Sequence, residues 1–267
     1  MHDIEGLERR VVDGVLWLRI DRPDAGNSFT VAVQRGLVDA LDAASGSSEV
    51  RVVVLTASGE RHFCTGPDLR DPEMAPDPAR AVGDASRRLR EGSQRMVAAL
   101  LDCEKPVVCG LNGTAAGGGA NLVLASDLVI AAEHATIIEL FTRRGLIPDG
   151  GAAYLLARHL PRNVVKELIL FGDALSAEEA HRLGLVNRVV PAAELDTALD
   201  EWARRLAAGP TRAFAASKAL LHRAIDDDRA ASFGFEAAQV ELIAGSDDVA
   251  EGVAAFLERR EPKFRGR

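Results

Sequence analysis

Residues 105–122 read Lys105-Pro-Val-Val-Cys-Gly-Leu-Asn-Gly-Thr-Ala-Ala-Gly-Gly-Gly-Ala-Asn-Leu122. The apolar run Pro106–Leu111 predicts a buried strand. Asn112-Gly113 breaks it, and Gly117-Gly118-Gly119 leads into a helix predicted to end near Ala125. Glycines at a helix start leave backbone N–H groups uncovered where the macrodipole favours negative charge. That is one way to hold an oxyanion. A tight turn or close helix packing asks for the same glycines, and the stretch alone does not separate these readings. Neither G-x-G-x-x-G nor G-x-x-x-x-G-K-[ST] is present, so a dinucleotide fingerprint and a phosphate-cradling loop are both excluded.

Working outward, Leu7–Val12 and Val15–Ile20 flank Asp13-Gly14, which predicts a hairpin. Thr30 N-caps a helix predicted to Ala44. Val50–Leu55 is nearly all aliphatic, as a strand buried on both faces requires. Residues 71–82 are rich in Pro and charge and read as a mobile loop before a helix over Asp84–Leu101. Asp127–Ala132 and Asn187–Val190 predict two more strands. Ser176-Ala-Glu-Glu179 is a capping box that opens a helix to Leu183. From residue 195 only helices follow, over about 195–208, 212–226, 230–244 and 247–259. The pattern divides into an α/β core over residues 1–194 and a helical region over 195–267.

The 267 residues are 47% hydrophobic and only 4% aromatic, so the core is aliphatic and built of small residues. A net charge of −8 argues against nucleic acid as the main partner. It leaves room for local arginines that hold a few phosphates. Cys64, Cys103 and Cys109 form no C-x-x-C pair and read as reduced, packed thiols. His134, His159 and His181 lack metal-ligand spacing, so no metal is expected. No run reaches 18 apolar residues, and the first residues carry neither a basic nor an apolar leader segment. A cytoplasmic protein without membrane contact is the expectation.

Two further stretches complete the picture: His62-Phe-Cys-Thr-Gly-Pro-Asp-Leu-Arg70 and Gly145-Leu-Ile-Pro-Asp-Gly-Gly151. With Lys105–Leu122 they resemble the crotonase (enoyl-CoA hydratase/isomerase) superfamily. Its members carry F-[CS]-x-G-x-D-[LI], N-G-x-A-x-G-G-G and G-[LI]-x-P-x-x-G segments in this order. The Arg22–Asn27, Leu175–Val186 and Glu251–Phe264 segments match as well, so the resemblance spans essentially the whole chain. It implies a crotonase-like α/β spiral of β-β-α turns with a C-terminal helical trimerisation region, assembled as a homotrimer or a dimer of trimers. It implies an acyl-CoA thioester as substrate and no separate cofactor, since coenzyme A is part of the substrate.

The resemblance also implies site residues. Two backbone N–H groups polarise the thioester carbonyl, on Gly118 and on position 67. Here position 67 is Pro67, which has no N–H, so an amide of Gly66 or Asp68 substitutes or the hole works with one donor. The two glutamates of the hydratases fall on Asn121 and Phe141, which transfer no proton. Asp149 falls on the aspartate of the family's isomerases, which makes it the candidate acid/base. An Asp before Gly-Gly and a helix is also a competent N-cap, and both roles stay open. Glu139 is close enough in sequence to face the site, although a solvated or ion-paired glutamate is the plainer reading. His62 reads as a packed or surface histidine. For coenzyme A, contacts are implied at Asp24, Ala25, Gly26, Gly66, Pro67, Asp68, Arg70 and Gly117. Phe256 and Arg259 are implied to reach the adenine and phosphate bound to a neighbouring subunit. The implied activity is an enoyl- or dienoyl-CoA isomerase. A hydratase with a non-standard acid/base and a non-catalytic acyl-CoA binder are the alternatives.

Overall fold

The computed structural model of the chain describes residues 4–74 and 81–267. Among these, strands β1 (Leu7–Val12) and β2 (Val15–Ile20) form the expected hairpin, with Asp13 and Gly14 at φ 50° and 79°. Two central turn residues with positive φ give the twist that suits a two-residue hairpin loop. Helix α1 (Val31–Gly46) starts where the Thr30 side chain accepts from the Val33 N–H at 3.2 Å.

A strand pair and helix then repeat. Strand β3 (Val52–Ala57) is followed by β4 (His62–Cys64), and β5 (Val107–Leu111) by β6 (Thr114–Ala116). Next come β7 (Leu128–Ala132) and β8 (Thr136–Ile138), and later β9 (Ala174–Ser176) and β10 (Arg188–Val190). In each of the first three pairs one strand joins a sheet ordered β1-β2-β3-β5-β7-β10, and the other joins a sheet ordered β4-β6-β8-β9. Successive turns therefore stack in parallel, with Val54 opposite Val108 and Cys109 opposite Val129. This is the spiral of β-β-α turns. Strand β3 is buried along its whole length. Its one hydroxyl, on Thr56, is satisfied by the Gly110 carbonyl at 2.9 Å.

The long helix expected over Asp84–Leu101 is α2 (Asp84–Leu89) and α3 (Arg95–Asp102), joined by a π-helical turn at Arg90–Gln94. The loop expected over 71–82 falls in part on residues 75–80, which lie outside the described residues. Helix α4 (Gly118–Leu124) packs against β4 so closely that a Cβ on Gly119 would stand 2.0 Å from the Cys64 carbonyl oxygen. Helices α5 (Ala152–His159), α6 (Arg162–Phe171) and α7 (Ala177–Arg182) close this part of the chain. The Ser176 side chain caps α7 by accepting from the Glu179 N–H.

The C-terminal helices divide by burial. Helix α8 (Leu195–Ala207) lies on the large sheet, with Leu199 fully buried against Gly110. Helices α9 (Thr211–Ala224), α10 (Arg229–Ala244) and α11 (Asp247–Glu258) stand farther out. No residue of α10 is buried, and Phe233, Val240 and Leu242 on it are exposed. Among the described residues no helix is long and apolar enough to cross a membrane.

The Gly119 contact makes a prediction. Gly119→Ala drives a methyl into a backbone carbonyl that cannot swing away, and overpacking of this kind costs about 3 kcal/mol or more. Gly46→Ala meets open space at the end of α1 and is neutral or stabilising by a few tenths of a kcal/mol. Urea denaturation of the two variants checks the contrast.

Candidate active site

The glycine loop forms one wall. Strand β6 ends at Ala116, and the Gly117 N–H donates to the Ile138 carbonyl at 2.9 Å, tying the loop to the end of β8. Gly118 is the first residue of α4, and a first-turn amide has no intrahelical acceptor. A Cβ on Gly66 would lie 3.5 Å from the Gly118 nitrogen, so the two glycines named from sequence face each other. Phe141 packs its ring over Gly117, 3.5 Å from where a Cβ would be.

Neither amide beside Pro67 is free to replace the missing donor. The Asp68 N–H donates to the Phe29 carbonyl at 2.9 Å. The Gly66 N–H lies against the Cys64 thiol, which burial pushes up to about 12. Among the amides considered from sequence, Gly118 alone opens a helix without an intrahelical acceptor.

Asp149 sits in the loop before α5, exposed on one side. The capping role left open for it is corrected here. The N-cap of α5 is Gly151, at φ 102°, and no side chain caps the helix. Gly150 and Gly151 both have positive φ, which pulls the chain away before the Asp149 carboxyl can turn back on the first amides. Asp149 contributes its carbonyl instead, accepting from the Ala152 N–H at 3.1 Å and from Asn121 Nδ2 at 2.8 Å. Its carboxyl is free for chemistry, and the protein around it raises its pKa by desolvation.

Glu139 overturns the plainer reading given to it. It is only 3% exposed, and neither carboxylate oxygen has a hydrogen-bond partner. Burial, and then the charge of Asp149, push its pKa up to about 8. It is therefore a neutral acid near pH 7. A signal was present in sequence: Ile137 is buried in β8, and strand alternation puts residue 139 on the same side.

A second group of residues gathers around an open surface cleft of about 450 Å³, lined by Arg22, Asp24, Ala25, Thr30, Asp68, Arg70, Asp71 and Pro72. Asp24 and Ala25 lie in a 3₁₀ turn, and Gly26 ends it at φ 64°. Asp68 is buried between two arginines, at 2.8 Å from Arg22 and 2.9 Å from Arg70. The Arg70 hydrogen bond, supported by Arg22, holds its carboxyl well below the usual range. Asp68 thus acts on the cleft by aiming cations, and Arg70 remains 72% exposed to meet an anion. The role of Arg22 was missed from sequence, because its partner lies 46 residues away. Phe256 and Arg259 sit at the end of α11 and do not line this cleft; Phe256 is 82% exposed. His62 is half-buried. Cys64, Cys103 and Cys109 are free and buried. A larger cavity, about 640 Å³ and lined by residues such as Leu101, Tyr154, Leu221 and Ile225, contains none of the residues of either group.

These features define a mixed α/β spiral with a glycine-loop site of the kind used on acyl thioesters. The sequence profile of the enoyl-CoA hydratase/isomerase family matches residues 10–267, and the chain belongs to that family, within the crotonase superfamily. It is similar to a Rhodobacter capsulatus protein named probable enoyl-CoA hydratase, at 39% identity over 96% of each chain. It is similar to the Escherichia coli K12 1,2-epoxyphenylacetyl-CoA isomerase, at 36% identity over 99% of this chain and 100% of that one. The crystal structure of an enoyl-CoA hydratase/isomerase from Cupriavidus metallidurans CH34 superimposes with a TM-score of 0.92 at 30% identity, covering 100% of this chain and 98% of that one. The chain is an enzyme of the hydratase/isomerase type.

Asp68 carries the prediction of this site. A carboxyl with a depressed folded-state pKa stabilises the fold above its unfolded value, and the contribution is lost as pH falls through the folded one. Asp68→Asn leaves both arginines without their anion and costs about 1–3 kcal/mol at pH 7. That gap narrows progressively as the pH falls below about 4. Denaturation curves at pH 7 and pH 3 test both sign and size.

Proposed function

We propose that the enzyme is an acyl-CoA isomerase, acting on an enoyl or dienoyl thioester, with Asp149 as its acid/base. The thioester oxygen lies at the Gly118 N–H, and the coenzyme A phosphates lie in the cleft of Arg22 and Arg70. In the step proposed, ionised Asp149 removes a proton from a carbon conjugated to the thioester. The electron pair moves into the enolate, whose oxygen the Gly118 amide stabilises. Asp149 then returns the proton to another carbon of the delocalised system. One carboxylate suffices, because no water is added. The observation that carries this reading is the Asp149 carboxyl itself: released from capping, open to solvent and raised toward a working range. The name of the 36%-identical Escherichia coli relative supports it. A second reading, hydration, draws on Glu139 as a second buried carboxyl and on the name of the Rhodobacter relative.

Asp149→Asn keeps the shape and removes the base. Double-bond isomerisation of 3-enoyl and dienoyl thioesters falls by about 10²-fold or more, while the melting temperature barely moves. Hydration of crotonyl-CoA by the parent enzyme is very slow, because Asn121 and Phe141 occupy the positions of the hydratase glutamates. An unchanged isomerisation rate in the variant ends the Asp149 reading, and brisk crotonyl-CoA hydration favours the second one.

Assembly belongs to the same proposal. Leu221 on α9, Ile225 just after it, Phe233 and Leu242 on α10, and Phe256 and Leu257 on α11 are all exposed in the single chain. So many exposed large apolar side chains on the C-terminal helices suit an interface, and closed symmetry is the common solution. A homotrimer or dimer of trimers is expected from light scattering at micromolar concentration, and a stable monomer rules it out.

A further inference from the structure

Among the described residues, Glu139 is a buried carboxyl beside the glycine-loop wall that the proposed step does not use. It directly follows β8, whose last carbonyl holds the Gly117 amide. Two residues on, Phe141 covers Gly117. Asp149 is joined to the same wall through Asn121. Glu139 therefore lies within the frame that carries both the oxyanion donor and the base.

Its surroundings contain little to balance a charge. Strands β6 and β9 and helix α4 contribute no charged residue, and α7, which also packs on β8, carries Glu178, Glu179, His181 and Arg182, of which Glu179 and Arg182 pair with each other. The 3₁₀ turn after Phe141 contributes Arg143 and Arg144. Arg143 is committed to the Phe171 carbonyl and to Asp173, and Arg144 is exposed. Asp173 is exposed and bound to Arg143. The remaining charge that acts on Glu139 is that of Asp149, and it has the same sign. A buried carboxylate with no hydrogen-bond donor and no cation is costly, so Glu139 keeps its proton in the working enzyme.

We propose that Glu139 is a positioning residue that acts through Asp149: as a neutral acid it leaves the pair with a single negative charge, and its ionisation closes the site to an enolate. The inference rests on the reading of Asp149 as the base. Carboxylates whose charges act on one another, as that of Asp149 acts on Glu139, titrate as a pair. The first charge belongs to Asp149, which is open to solvent, and the second belongs to Glu139, which is not. A second negative charge raises the proton affinity of Asp149, so that it no longer gives the proton back. It also repels the charge that develops on the substrate. The enzyme thus carries an alkaline limit set by a group that never touches the substrate.

Two measurements test this. In the first, isomerisation is followed from pH 6 to pH 10 in the parent enzyme and in Glu139→Gln, each compared with its own rate at pH 7. The parent is expected to lose roughly tenfold per pH unit above the ionisation of Glu139. Glu139→Gln, which cannot ionise, is expected to lose that limb. A purely structural role would lower the rate equally at every pH. In the second, infrared difference spectra follow the protonated carboxyl of Glu139 against pH in the parent and in Asp149→Asn. The band is identified by its loss in Glu139→Gln, and its titration is expected to move to lower pH once the Asp149 charge is gone. An alkaline limb that persists in Glu139→Gln, or a band whose titration ignores Asp149→Asn, overturns the proposal. Absence of isomerase activity in the parent overturns the catalytic half together with the reading beneath it. The infrared titration stands or falls independently.

Discussion

The backbone contact between Gly119 and Cys64 is the constraint on which the rest of the site depends. Helix α4 reaches β4 only because position 119 lacks a Cβ. That approach brings the start of the helix to Gly66 and sets the Gly118 amide against the loop that follows β4. The same helix carries Asn121, whose amide holds the Asp149 carbonyl. One missing methyl group thus sets how the Gly118 amide stands relative to Asp149. Sheet pairing supplies the rigidity behind it, because β4 and β6 are neighbouring strands of one sheet.

The loop from Cys64 to Arg70 works differently from the way its motif suggests. Its backbone is spent on holding itself in place: the Gly66 carbonyl accepts from Phe29, and the Asp68 amide donates back to Phe29. Pro67 fits between these two bonds because neither needs an N–H at position 67. If position 67 is the donor the resemblance implies, Pro67 removes an amide that in other enzymes is worth about 2.7–4 kcal/mol of transition-state stabilisation. Asp68 orders two arginines in a chain with a net charge of −8. The positive field is therefore local, confined to the cleft where phosphates are expected.

The long elements were legible in sequence because their patterns repeat. The hairpin at Asp13-Gly14, the Thr30 cap and the C-terminal helices all lie within a residue or two of expectation. Strands β4, β6, β8 and β9 were not legible, since three residues are too few to display a period of two. Those short strands build the second sheet, and so the spiral itself came from the resemblance and not from periodicity. In the site, glycines and motif positions were readable, whereas partnership was not. Arg22 and Asp68 are far apart in sequence, and the burial of Glu139 depends on what packs over it. Asp149 was ambiguous because a cap and a base share one sequence signature, and only the φ angles of Gly150 and Gly151 separate them.

The carboxylates of this enzyme have moved relative to the hydratase pattern, and the move changes what protons can do. On the resemblance read from the sequence, Asn121 and Phe141 stand where the hydratases hold the two glutamates that flank an added water. Asp149 and Glu139 put two carboxyls back, but in unequal surroundings. Desolvation raises Asp149, and desolvation together with Asp149 raises Glu139 further. Unequal environments force one carboxyl to ionise well before the other. The two carboxyls thus sit in unequal surroundings, Glu139 buried and Asp149 exposed. On the proposed reading, one exposed base beside a dry carboxyl suits moving a proton along a conjugated chain, where each proton removed is also returned.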